Sequence, residues 1–131
     1  MIYTSYFDNI NNIVASIPDA RFVSIAGKTP DGFVGEKYQK LMPLHSWWCE
    51  WHGKFIDTIE SNESKAWYIK KYTETVLSKL DLITVAQEVK DMCNWHSTFI
   101  LCYETPEKFC HRHIVADWFK SSRIECEEWK R

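Results

Sequence analysis

Between Cys102 and His113 the chain gathers thiols, a carboxylate, imidazoles and a guanidinium at one reversal. Cys102 and Glu104 come first, then Thr105-Pro106, then Cys110, His111, Arg112 and His113 in a row. A thiol beside a guanidinium and a helix start has its pKa lowered toward the reactive thiolate. A carboxylate at hydrogen-bond range serves as general base or acceptor. An imidazole titrates near neutrality and can orient a neighbour or pass a proton. A guanidinium clamps an anion through two parallel N–H donors. The expected roles follow: Cys102 is nucleophile or polar anchor, Glu104 the base, His111 the proton carrier, and Arg112 with Cys110 the substrate contacts. The same residues also read as packing, with cysteines as small buried hydrophobes and Glu104 paired to Arg112 in a structural salt bridge.

These groups need elements to aim them. "STFILCY" (Ser97 to Tyr103) is apolar on both faces, as expected of a central parallel strand. Alternation along that strand places Cys102 and Glu104 on one side. Thr105 is a good N-cap type and Pro106 a good first helical residue, so a helix is expected over "TPEKFCHRHIVADWFKS". Its first free N–H groups, near Glu107 to Cys110, then face the strand exit and suit an anion.

Upstream, "IYTSYF" (Ile2 to Phe7) and "RFVSIA" (Arg21 to Ala26) read as strands. Between them Asp8 can cap a helix with Ile10, Ile13, Val14 and Ile17 on one face, ended by Pro18-Asp19. "GKTPDGFVG" (Gly27 to Gly35) is a loop at a strand exit, where Lys28 could meet a substrate anion. A helix from Leu44 carries the stripe Leu44, Trp48, Trp51 and Phe55, with Trp47 off the stripe and expected at the surface. A second helix fits Ser64 to Leu80, with Ile69, Tyr72, Val76 and Leu80 on one face. Thr84 with Gln87 is a capping-box pattern opening a third, with Val85, Val89 and Met92 inward. "RIECEEW" is expected as a final edge strand. Strands alternating with helices define the fold class: one α/β Rossmann-like domain over residues 1–131, mainly parallel sheet with helices on its faces. In such sheets ligands sit beyond the carboxyl ends of the strands, where Cys102 and Gly27 lie.

Composition narrows the function. The chain has 131 residues with 16 basic and 18 acidic ones, a net charge of −2 that excludes bulk nucleic-acid binding. No apolar run reaches the roughly 20 residues a membrane span needs. The five cysteines are odd in number and show no secreted framework, and no basic, apolar leader follows Met1. A cytoplasmic protein with free or metal-bound thiols is expected.

The arrangement "LCYE-TPEKF-CHRHIVADWF" resembles the signature of the domain of unknown function 488 family, in which a strand ending Leu-Cys-x-Glu precedes Cys-His-Arg on a helix. "IYTSYF", "VSIAGKTPDGFVGEKYQKLMP" and "YTETVLSKLD" resemble it too, particularly a short subfamily of phages and gut-type bacteria. The resemblance implies a compact α/β fold and carries the signature positions to Cys102, Glu104, Cys110, His111 and Arg112. Many members have Asp-x-Arg at the end of the second strand. This chain has Ser24 and Ala26 there, and Ser24 with Lys28 is expected to supply the contact instead.

Gly27-Lys28-Thr29 lacks the upstream glycine of a phosphate-binding loop, because Phe22 holds that position. Cys49–His52 and Cys93–His96 repeat Cys-x-Trp-His, a minor zinc possibility. Cys102 and Cys110 with one of His111 or His113 form another, since the two imidazoles diverge on a helix. No cofactor is expected, with zinc as the lesser alternative. The leading expectation is a small enzyme acting on an anionic, nucleotide-like small molecule. A non-catalytic ligand- or protein-binding module is the second, with the same pocket as sensor and Trp47 as partner surface. A metal- or redox-responsive regulator is the third.

Overall fold

A computed structural model describes residues 1–130. Its strands are β1 (Ile2–Tyr6), β2 (Arg21–Ser24), β3 (Glu36–Lys37), β4 (Thr98–Cys102) and β5 (Cys126–Glu128). They form a single sheet in the order β3-β2-β4-β1-β5, with every pairing parallel. The helices are α1 (Ile10–Ser16), α2 (His45–Lys54), α3 (Asn62–Thr75), α4 (Leu82–Met92) and α5 (His111–Lys120). This is the expected Rossmann-like α/β architecture. β4 is central and buried at all its residues, as its unbroken apolar run requires. β5 lies at an edge beside β1.

Alternation on β4 divides the core. Ile100 faces a large layer built with Tyr72, Val85, Val89, Val115 and Phe119 from the helices. Phe99 and Leu101 face a smaller layer with Ile13 and Phe22. On that side Tyr3 stacks on Phe99 at 4.9 Å, and Trp129 packs edge-on against both rings.

Several local expectations are corrected. Phe7–Asn9 is a 3₁₀ turn, so Asp8 does not cap α1, and Val14 stays exposed. β3, which was not expected, directly follows the Gly27–Gly35 loop; Tyr38 N–H bonds to Ser24 O and draws the segment alongside β2. α3 starts earlier than expected, because Ser61 accepts from Ser64 N–H, and it ends by Thr75. Its exposed Ile69 leaves the buried face to Tyr68 and Tyr72. α4 is capped by Asp81, which accepts from both the N–H and the hydroxyl of Thr84. Thr84 is thus the capped residue, not the cap.

On α2 Trp51 and Phe55 are buried as expected, but Trp47 rather than Leu44 completes that face, and Trp48 is only partly buried. Trp47 is 5% exposed and Leu44 47%. The reason is polar as well as apolar: Trp47 Nε1 donates to Thr75 Oγ1 at 2.9 Å, and Trp51 Nε1 to Ser64 Oγ at 3.0 Å. Both indoles thereby lock α2 onto α3, and Trp47 offers no partner surface.

Candidate active site

β4 ends at Cys102, and Tyr103 and Glu104 lie in a bend. The expected helix over residues 105–110 does not form. Thr105 instead turns back on itself: Lys108 N–H bonds to Thr105 O, and Thr105 Oγ1 donates to Glu107. Phe109 N–H is taken by the Glu60 carboxylate at 3.0 and 3.3 Å. The N–H groups of Lys108 and Phe109 are therefore spent inside the protein and cannot cradle an anion. α5 begins only at His111, with Cys110 as its N-cap in extended conformation.

This delayed start brings three side chains together. Cys102 Sγ lies 3.6 Å from His111 Nδ1. The donor atoms of Cys102, Cys110 and His111 all lie within 4.8 Å of one another, and all three residues are buried. His111 Nε2 is 2.7 Å from the Ile25 carbonyl oxygen. A carbonyl only accepts, so Nε2 carries a hydrogen and Nδ1 is the ring atom that faces the thiols. Tyr72 and Tyr68 wall the imidazole, with ring centroids 5.5 and 6.5 Å away.

The hydrogen bond between the two thiols sets them apart. That bond and burial push Cys102 well above the ordinary thiol value. The same bond pulls Cys110 well below it, and His111 and the Arg112 charge assist against burial. The contact thus biases the pair toward charge on Cys110. The phenols of Tyr68 and Tyr72 are pushed up by burial and by the nearby thiols, so they stay neutral.

Arg112 is fully buried and pairs with Glu128, not with Glu104. Nε donates to Glu128 Oε1 at 3.1 Å and Nη2 to Oε2 at 2.8 Å. Thr4 Oγ1 donates to the same carboxylate at 2.6 Å. The third nitrogen, Nη1, is buried with no partner among the described residues. The guanidinium is close enough for its charge to act on both thiols.

The other expected site residues stand apart. Glu104 is exposed, and its side chain forms no hydrogen bond or ion pair among the described residues. Ser24 is buried and shares a 3.0 Å hydrogen bond with Thr29, holding the turn that follows β2. The Lys28 side chain is exposed and its carbonyl accepts from Tyr103 OH. His113 turns to Glu128 at 4.0 Å, leaving His111 as the imidazole of the cluster. The two Cys-x-Trp-His pairs do not converge. Cys93 is buried, His96 pairs with Asp19, Cys49 sits by His45 and His52 stacks on Trp48. Glu128, Ile25 and the two tyrosines were missed from sequence; the Tyr68–Tyr72 spacing on one helical face was the available signal.

Beyond the carboxyl ends of β1 and β4 lies a cleft of about 420 Å³ lined by Phe7, Asp8, Asn11, Asp31, Phe33 and Tyr103 among others. Tyr103, which follows Cys102 directly, packs edge-on against Phe7 at 4.9 Å in that cleft, and Cys102, Cys110 and His111 do not line it. A family model described as the active DUF488-N3 subclade (DUF488-N3a) matches residues 15–123. The chain belongs to the DUF488 family. The match spans β2 through α5 and takes in all of the clustered residues. No curated protein and no solved structure matches the chain. No helix of this DUF488 protein, among the described residues, is long and apolar enough to cross a membrane.

Proposed function

We propose that this DUF488 protein is a small enzyme that uses the Cys102–Cys110–His111 cluster to act on an anionic small molecule of nucleotide-like class. The observation that carries this reading is the pinned imidazole. With Nε2 held by the Ile25 carbonyl, Nδ1 is aimed at the thiols and ready to take a proton. Cys110 is then the attacking thiolate and Cys102 the thiol that hydrogen-bonds it. The Arg112 charge, which acts on both thiols, offsets that of the thiolate. The substrate would approach from the side of the cleft that Tyr103 lines, and Lys28, whose carbonyl accepts from Tyr103 OH, would supply the cation for the anion. The family description as an active subclade accords with a working site.

The test is a panel of nucleotides and sugar phosphates incubated with the wild-type protein and with Cys110→Ala and Cys102→Ala. Turnover in the wild type that is abolished in Cys110→Ala is expected. Turnover that survives both substitutions would remove the thiols from the chemistry. Retained binding of the same compound with no turnover by any form would favour a non-catalytic binding module instead.

A further inference from the structure

We propose that the cluster is also a zinc site, in which Cys102 Sγ, Cys110 Sγ and His111 Nδ1 hold the ion and thereby silence the thiol chemistry. The binding stands on geometry alone; the silencing rests on the catalytic reading above. Tetrahedral zinc has Zn–S bonds of about 2.3 Å and Zn–N bonds of about 2.0–2.1 Å, which sets ligand atoms roughly 3.5–3.8 Å apart. The Cys102 Sγ–His111 Nδ1 separation is 3.6 Å, and the whole triad fits within 4.8 Å. Closing the difference takes a contraction of about 1 Å in the widest ligand pair.

The surroundings match those of a metal-bound imidazole. A ligating histidine almost always donates its other N–H to a carbonyl or carboxylate, which fixes the ring and its tautomer. Ile25 O does this at 2.7 Å. Two thiolates and one imidazole are a soft set that favours zinc over magnesium or calcium. Binding releases the two thiol protons to solvent as two Zn–S bonds form. The two thiolates then balance the ion's charge, so Arg112 nearby is no obstacle. Three protein ligands leave the fourth position open for water, hydroxide or an anion, and the buried guanidinium, whose charge reaches both thiols, favours the anion. A thiolate that shares one of its lone pairs with zinc is a weaker nucleophile than the free thiolate, so the loaded protein is the resting form and the metal-free protein the more reactive one.

The surface offers one rival. Cys49 Sγ lies 3.4 Å from His45 Nε2 on exposed α2, a pair with two donors and no burial. The test separates them. Cobalt(II) is titrated into metal-free protein as a spectroscopic probe and then displaced with zinc. A thiolate-to-cobalt charge-transfer band with strong tetrahedral visible bands is expected, saturating at one ion per chain and unchanged in Cys49→Ala. In Cys102→Ser and Cys110→Ser the charge-transfer intensity should fall sharply. Because those variants alter the core, a second measurement uses the wild type alone. Zinc is expected to protect Cys102 and Cys110, but not Cys49, from iodoacetamide, read residue by residue by mass spectrometry. Weak octahedral cobalt bands, loss of binding in Cys49→Ala, or unslowed alkylation of Cys102 and Cys110 would each overturn the site. Metal binding with no thiol-dependent turnover in the metal-free protein would leave the site standing and refute the catalytic reading and the silencing.

Discussion

Glu128→Ala is the substitution whose cost follows most directly from geometry. Glu128 is 13% exposed and receives two N–H donors from a guanidinium that is 0% exposed. Each charge-assisted bond contributes about 1.5–3 kcal/mol, so the pair together contributes about 3–6. The same figure comes from the other direction: stripping one partner from a buried ion pair costs about 3–5 kcal/mol, because the remaining charge is left without compensation. Thr4 Oγ1 also loses its acceptor. A loss of about 3–5 kcal/mol is a large part of the roughly 5–15 kcal/mol that holds a domain folded. With about 2.1 cal/mol/K of unfolding entropy per residue, it lowers Tm by about 11–18 °C for this chain. Urea unfolding followed by far-ultraviolet circular dichroism measures it, with Glu128→Gln expected at an intermediate loss because an oxygen acceptor remains. The double variant Arg112→Met/Glu128→Leu should recover most of the stability, since no charge is then buried. A loss below about 1 kcal/mol for Glu128→Ala would refute the reasoning, for it would place Arg112 in contact with water.

Three further outcomes are expected. Trp47→Ala should cost about 3–5 kcal/mol in the same urea assay, as a buried indole bonded to Thr75 does; a surface tryptophan would cost far less. Gly35→Ala should lower Tm, because a Cβ there would lie 2.7 Å from the backbone oxygen of Phe22, which cannot move aside without disturbing β2. Asp81 is held below the ordinary carboxyl value by the hydroxyl and N–H of Thr84, so its help to α4 is present above the unfolded value and lost as pH falls through the folded one. Asp81→Asn should therefore flatten the acid limb of a Tm-against-pH curve while changing little at neutral pH.

The sheet was legible because β4 and β5 carry their burial in local pattern: an unbroken apolar run at the centre, an alternating polar one at the edge. The start of α5 was not. Thr105-Pro106 is a strong local helix opening, yet Glu60, from a distant turn, takes Phe109 N–H and holds the segment out of the helix. No local rule reads that bond. The burial of Trp47 on α2 was missed for a related reason: Thr75 and Ser64 on another helix decide which indoles turn inward. The site was legible in its residue types and not in its pairings. Cys102, Cys110 and His111 meet as a group. Arg112 finds Glu128 through strand register, and Glu104 drops away because β4 stops two residues short of it.

The place of β1 in the sheet has a consequence for how the chain is born. Its hydrogen-bonding neighbours are β4 and β5, with Ile2 opposite Thr98 and Cys126. At about 5–20 residues per second of synthesis, β1 leaves the ribosome roughly 5–20 s before either partner exists. Throughout that interval the middle of the future sheet is a gap, and β2 lacks its inner neighbour as well. The apolar helices made in the meantime have no sheet to cover. Nascent chains halted before β4 are thus exposed to chaperones and proteases, and the segment from β4 through β5 decides whether the strands before it find their partners.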